Sequence, residues 1–356
     1  MATLYVASTE TFVGKSATCV ALLDRARRDG FAAGYLKPVS VSVTRTDTTV
    51  LDADAAFVQA HFALPDPLDT LAPVLLTPSV VEAVLAGQSP DFVRRLTTAY
   101  ARVARDRDLV LLEGANHWAE GSLVGLSTDQ VSDMLQAPVL LIARYRPPIT
   151  LDAILAVQRY LGDRLLGVII NSIDAPQLEF VRGRMVPFLE QRGIPVFATL
   201  PHDPQLAGVT VTDLYEHLGG QLLGNPAWGG QLVEHLLIGA MGANAALSHF
   251  RRRTHKAVIT GGDRVDLQLA ALETSTAVLV LTGNIQPVAA VLDRAEEREV
   301  AIIVVPDDTL TAVERAEGIF GQVRFKQAAK IARFTALLDA ACDFDRLYQA
   351  IGLTSG

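Results

Sequence analysis

Ser8-Thr9-Glu10-Thr11-Phe12-Val13-Gly14-Lys15-Ser16 lies directly between a short apolar run, Thr3 to Ala7, and a stretch of helical periodicity, Ser16 to Arg28, that ends in arginines. A loop that cradles phosphates needs inward-pointing backbone amides, a lysine for the terminal phosphates and a hydroxyl at the helix start for Mg²⁺. Gly14, Lys15 and Ser16 supply the last part of that pattern. The leading glycine is replaced by Ser8, and the spacing is one residue longer than standard. Gly-Lys-Ser alone also describes an ordinary helix start, so the strand before it and the helix after it carry the reading.

Working outward, further short apolar runs occur at Ala32 to Leu36, Asp108 to Leu112, Val139 to Ala143, Gly167 to Ile170 and Val196 to Leu200, with helix-length segments between them. Strands alternating with helices imply parallel pairing, and continuous apolar strands imply a sheet covered on both faces. The expected fold is therefore α/β, a doubly wound, mostly parallel sheet of the P-loop type. Around Pro201 to Val211 this series stops and a glycine-rich stretch appears, Gly219 to Gly230, which suits a domain entrance or linker. Three more buried-strand candidates follow: Lys256 to Thr260, Ala277 to Thr282 and Val300 to Pro306. They end in Gly261-Gly262-Asp263-Arg264, Gly283-Asn284 and Asp307-Asp308-Thr309, loops expected to converge at one crevice outside the carboxyl ends of the strands. Two domains are expected, residues 1–205 and a smaller α/β domain over 206–356.

Composition narrows the classes of function. The 356 residues are half apolar, with 31 Lys+Arg against 39 Asp+Glu and a net charge of −8, so the chain can bury full cores. An acidic balance argues against a nucleic-acid partner, and the one dense basic run, Arg251 to Arg253, reads as solvated surface. Two distant cysteines, Cys19 and Cys342, imply neither a disulfide framework nor a zinc site and fit a reducing cytoplasm. No apolar run approaches the ~18 residues of a membrane span, and no signal peptide is visible.

With its Thr-Glu and Val-Gly-Lys-Ser, the longer loop resembles the variant loop of dethiobiotin synthetases, ATP-dependent ligases of the P-loop class. Gly34-Tyr35-Leu36-Lys37-Pro38-Val39 resembles that family's Lys-Pro-Val motif, whose lysine lies beside the phosphates and the carboxylated substrate. Asp54-Ala55, within Asp52 to Gln59, is similar to the segment holding a Mg²⁺-binding aspartate, and Glu113-Gly114-Ala115 to the motif whose glutamate also contacts Mg²⁺. Asn171 stands at the adenine-recognising position. The resemblance thus implies ATP or a related nucleotide at Thr9, Glu10, Thr11, Val13, Gly14, Lys15, Ser16 and Asn171. It also implies Mg²⁺ at Ser16, Asp54 and Glu113, and phosphoryl-charge stabilisation by Lys15 and Lys37 if the protein turns ATP over. Taken singly, Lys37 also reads as a solvated lysine before a turn-forming proline, Asp54 as a helix cap and Asn171 as a turn residue. Glu113, after a buried run, needs a cation or amide partner.

Departures concern the second substrate. Where the family continues Glu-Gly-Ala with two glycines, this chain has Asn116-His117-Trp118, which would reshape or fill that pocket. Arg144-Tyr145-Arg146-Pro147-Pro148 makes a later loop stiff and basic, and neither His117 nor His202 is given a catalytic role. Gly239-Ala240-Met241, the 256–264 segment, Ala270 to Thr274, Leu281 to Asn284 with Pro287, and Val305 to Thr309 resemble the DRTGG domain, although the signature here reads Thr-Gly-Gly-Asp-Arg. The pair of domains resembles the N-terminal part of long bacterial phosphate acetyltransferases. A chain ending at Gly356 leaves no room for their acetyltransferase domain, so acetyl transfer is not expected. Gly261, Gly262, Asp263, Arg264, Gly283 and Asn284 are candidates for a ligand site or an interface, with a tight turn and a structural charge pair as the alternative. The expectation is a cytoplasmic nucleotide-binding regulatory protein, a homo-oligomer with a possible metabolic-enzyme partner. An ATP-dependent ligase or NTPase is the alternative.

Overall fold

The computed structural model describes residues 1–41, 43–45, 50–321 and 328–353. It divides into two compact units, the first spanning Met1–His202 and taking in the chain again from Ala328, the second beginning at Asp203.

In the first unit six strands form one parallel sheet: β1 (Ala2–Ser8), β2 (Ala33–Leu36), β3 (Leu109–Glu113), β4 (Val139–Arg144), β5 (Leu165–Ile173) and β6 (Val196–Pro201), in the order β2-β3-β1-β4-β5-β6. Every residue of β1 and β3 is buried, as expected for strands covered on both faces. Register sets the site. Tyr5 pairs with Leu112, Leu36 with Leu112, Ser8 with Ile142 and Arg144 with Asn171, so the residues that follow β1, β2 and β3 emerge along one edge, with Asn171 on β5. Helix α1 (Lys15–Arg28) leaves that edge directly after the loop, and α2 (Ala53–Phe62) follows β2 after an antiparallel pair formed by Val43–Arg45 and Val50–Asp52.

The second unit is built on a mixed five-stranded sheet. Its strands are β7 (Gln221–Leu223), β8 (His235–Ile238), β9 (Lys256–Gly261), β10 (Thr276–Thr282) and β11 (Ala301–Val304), in the order β7-β11-β10-β9-β8, with β7 antiparallel at the edge. Because side chains alternate along a strand, the sheet feeds two cores. Ala257, Ile259, Val278, Val280 and Ile303 join α3 (Val211–Leu218) and α7 (Thr309–Gly321). Val258, Leu279, Leu281 and Ile302 join α4 (Ala243–Phe250), α5 (Val265–Leu272) and α6 (Ala289–Glu297). Each such buried Leu, Ile or Val is worth roughly 1.5–3 kcal/mol.

Two readings of the chain's organisation change. The glycine-rich stretch is not a linker: it contains edge strand β7, and Trp228 packs into the second unit's core. Nor do residues 206–356 form one body, because α8 (Ala328–Ala341) and α9 (Phe344–Ala350) belong to the first unit. Helix α8 is the largest neighbour of α1, which explains why α1 buries Ala17 to Leu23 without a break, where a helix lying on a sheet alone would bury one stripe. No helix among the described residues is long and apolar enough to cross a membrane.

Candidate functional site

The site lies at the carboxyl edge of the first sheet. Gly14 caps α1 in the left-handed conformation, φ 94°, where a side chain is strained, and a β-carbon there would fall 2.8 Å from Asn171 Nδ2. Among the described residues no side chain caps this helix and its first turn holds no acid, whereas at α2 the Asp52 carboxylate accepts from the amides of Asp54 and Ala55. The start of α1 thus keeps the unsatisfied amides and partial positive charge that suit an anion.

Around it the loop is braced by its neighbours. Thr9 N donates to Ile142 O, extending the sheet by one residue. Glu10 faces Arg146 at 3.4 Å, Thr11 and Phe12 are exposed, and Arg144 donates to Phe12 O at 2.6 Å. Asn171 Nδ2 donates to Val13 O at 2.8 Å. Lys15 Nζ donates to Ala115 O at 2.6 Å, and burial pushes its ammonium below the usual lysine range against the pull of Glu113.

Glu113 is the centre of the charge set. Wholly buried at the end of β3, it accepts from Ser16 Oγ at 2.7 Å and from Tyr35 Oη at 2.8 Å, with Lys37 Nζ at 3.9 Å. Burial raises its carboxyl above the ordinary value, while Lys37 draws it back. Lys37 is buried too, so the solvated reading of that lysine is excluded. It bonds Asp54 Oδ2 at 2.8 Å and Asp52 Oδ2 at 2.9 Å. Burial depresses its ammonium, but Glu113, Asp54 and Asp52 outweigh that and hold it charged. Ser40 Oγ donates to Asp52, which completes the cluster.

Lys15, Ser16, Lys37, Asp54, Glu113 and Asn171 therefore come together. Tyr35, Ser40 and Asp52 were missed. Tyr35 sits in an apolar strand and reads as core, and the cap read at Asp54 falls instead on Asp52; a hydroxyl two residues before Lys37 and a carboxylate two residues before Asp54 were the available signals.

The donors fit Mg²⁺ in chemistry. Ser16 and Glu113 offer adjacent hard oxygens, the donor type that Mg²⁺ takes from protein beside phosphate and water.

Trp118, in the loop that departs from the synthetase pattern, lies 4.6 Å from the Tyr160 ring and 5.1 Å from that of His117. His117 Nδ1 accepts from Ala119 N, a local turn contact.

In the second unit the loops after β9, β10 and β11 do converge: Gly262 N donates to Thr282 O, Gly283 N to Asp307 O, and Thr282 and Thr309 share a hydroxyl bond of 2.8 Å. The glycines serve the turns. A β-carbon on Gly262 would fall 2.5 Å from Ile285 Cβ, and Gly283 and Asn284 both hold positive φ, 81° and 56°. Buried Gln268 donates to Gly261 O and Gly262 O at 3.1 Å each. Arg264 pairs in two-pronged fashion with Asp266, not with the exposed Asp263, and reaches Met241 O.

A parallel sheet with a lysine-serine helix start and a buried carboxylate behind it defines the P-loop class of nucleotide-binding fold. The chain belongs to the AAA domain family, which matches residues 2–210, and it carries a DRTGG domain over residues 213–319. It is 25% identical to a phosphate acetyltransferase from Nitratidesulfovibrio vulgaris across 97% of this chain and 51% of that protein. An ATP-dependent dethiobiotin synthetase BioD from Xylella fastidiosa is 27% identical across 57% of this chain and 92% of that protein. The chain thus spans about half the length of the phosphate acetyltransferases it resembles. Among solved structures, the MinD cell division protein of Aquifex aeolicus aligns with 12% identity and a TM-score of 0.32, covering 58% of this chain and 84% of that one.

Proposed function

We propose that the protein binds a magnesium–nucleoside triphosphate, ATP or a close relative, at the start of α1 and acts as a regulatory protein in the cytoplasm. One observation carries this reading: a wholly buried carboxylate, Glu113, hydrogen-bonded to Ser16 of an otherwise uncapped helix start and flanked by two lysines. An ion set of this kind is costly to bury and suits a charged ligand. Lys15 would exchange Ala115 O for terminal phosphate oxygens, Ser16 and Glu113 would hold Mg²⁺, and Asn171 would read the base. Bound Mg²⁺ would supply charge neutralisation across the phosphates. Asp54, bonded to Lys37 in this structure, would join Ser16 and Glu113 at the Mg²⁺.

The DRTGG domain would then sense a metabolite or mediate homo-oligomer formation and contact with a metabolic enzyme, through the loops holding Gly261 to Arg264 and Gly283-Asn284. The likeness to dethiobiotin synthetases across nearly their whole length favours a second reading, an ATP-dependent ligase or NTPase with Lys15 and Lys37 stabilising phosphoryl charge. Calorimetric titration with ATP, GTP and ADP, with and without Mg²⁺, tests the common core: magnesium-dependent binding of a triphosphate is expected, and absence of binding by all three overturns it. Phosphate release that depends on a carboxylate–amine substrate would select the ligase.

A further inference from the structure

The C-terminal helices were not foreseen as part of the nucleotide-binding unit, yet α8 reaches the loop itself. A β-carbon at Gly14 would lie 3.6 Å from Phe334 Cε2 and 3.9 Å from Phe334 Cζ, on top of its approach to Asn171. The left-handed turn that opens α1 is therefore bounded by the Asn171 amide and by the ring of Phe334. Ile331, Phe334 and Leu338 are all buried, spaced three and four apart as one helical stripe. Farther along α1, Asp339 pairs with Arg28 at 2.7 Å and faces Arg25 at 3.6 Å. From α9, Phe344 lies under the Arg25 guanidinium at 4.4 Å and Tyr348 Oη donates to Asp29 at 2.9 Å. The returning segment so grips α1 at both ends. Lys15 and Ser16 occupy the first turn of that helix, so a shift of α1 moves both.

We infer that Phe334 is a positioning residue for the phosphate loop and that docking of α8 on α1 is thermodynamically coupled to nucleotide binding. The inference rests on the proposed nucleotide site. Reciprocity follows: if docked α8 holds the loop in its binding geometry, bound nucleotide must hold α8 docked by the same factor.

The test is hydrogen exchange on the full chain, with and without saturating Mg–ATP, read over 328–341, together with calorimetry of Phe334→Ala and Phe334→Met. Exchange over 328–341 should slow about tenfold on Mg–ATP. Phe334→Ala should weaken Mg–ATP binding about tenfold, and Phe334→Met, which keeps side-chain volume, should recover most of it. If Phe334→Ala fails to fold, wild-type exchange and the Met variant decide. Wild-type protein that binds Mg–ATP with unchanged exchange over 328–341, or a Phe334→Ala protein that folds and binds as tightly as wild type, overturns the coupling while leaving the nucleotide site intact. Wild-type protein that binds no nucleotide overturns both.

Discussion

Both units end parallel strands in loops at one edge of a sheet, but they place charge differently. At the first edge Lys37, Asp52 and Glu113 are at most 4% exposed, bonded to one another and to Ser16, Tyr35 and Ser40. At the second edge the buried polar groups are neutral, Thr260, Thr282 and Gln268, while the charges, Asp263 and the Arg264–Asp266 pair, stand toward solvent. Desolvated charge is expensive and rarely the most stable solution, so a fold that keeps it has a use for it. Neutral hydroxyls and backbone bonds lock turns at far lower cost. By this contrast the first edge suits the ionic ligand proposed for it, and the second is a braced set of turns.

Four experiments bear on the contrast. The largest effect is expected from Lys37→Met, which strands Asp52 and Glu113 without their cation and should cost about 3–5 kcal/mol in urea unfolding. A loss under about 1 kcal/mol would mean the buried pair is not the structural centre described above. Next comes Glu113→Gln, which retains the shape and removes the charge. It should reduce Mg–ATP affinity at least about tenfold, roughly 1.4 kcal/mol, and leave metal-free binding nearly unchanged; equal losses with and without Mg²⁺ would remove Glu113 from the metal.

Third is a pH effect in the second unit. Lys256 is wholly buried and donates to Ser275 O and Arg253 O, and burial lowers it from 10.5 to about 8. The unfolded chain then binds more protons between about pH 8 and 10.5, so this lysine's contribution makes the unit more stable as pH rises through that window. Lys256→Met should flatten the slope, and an unaltered slope would show the ammonium is not desolvated. The smallest effect is expected for Arg264→Ala, whose partner Asp266 is exposed: the unfolding midpoint should barely move, with Mg–ATP affinity unaltered.

Much of the first site was legible because its chemistry is local. Gly14, Lys15 and Ser16 are contiguous, and Lys37 and Glu113 each follow an apolar strand whose neighbours are fixed by the parallel order. What escaped depends on closure in three dimensions. Tyr35 becomes a donor to Glu113 only because β2 and β3 are adjacent, and Asp52 becomes a partner of Lys37 only once the chain between them turns back. The return of α8 was hidden because its apolar stripe would seat equally well on any core. The unbroken burial of α1 is its one trace in the sequence, as a helix apolar on more than one face. In the second unit the glycines at 219–230 gave a linker's composition to residues that hold an edge strand and a core tryptophan.

Titration of wild-type protein and Lys15→Ala with ATP in excess Mg²⁺ decides whether the start of α1 is a nucleotide site. Among the described residues Lys15 bonds Ala115 O and faces Glu113, which keeps Lys37 as a partner, so its removal should lower the unfolding midpoint less than Lys37→Met does. Affinity for Mg–ATP should fall by about 100-fold, on the order of 2.7 kcal/mol. Equal affinity in the two proteins would contradict it.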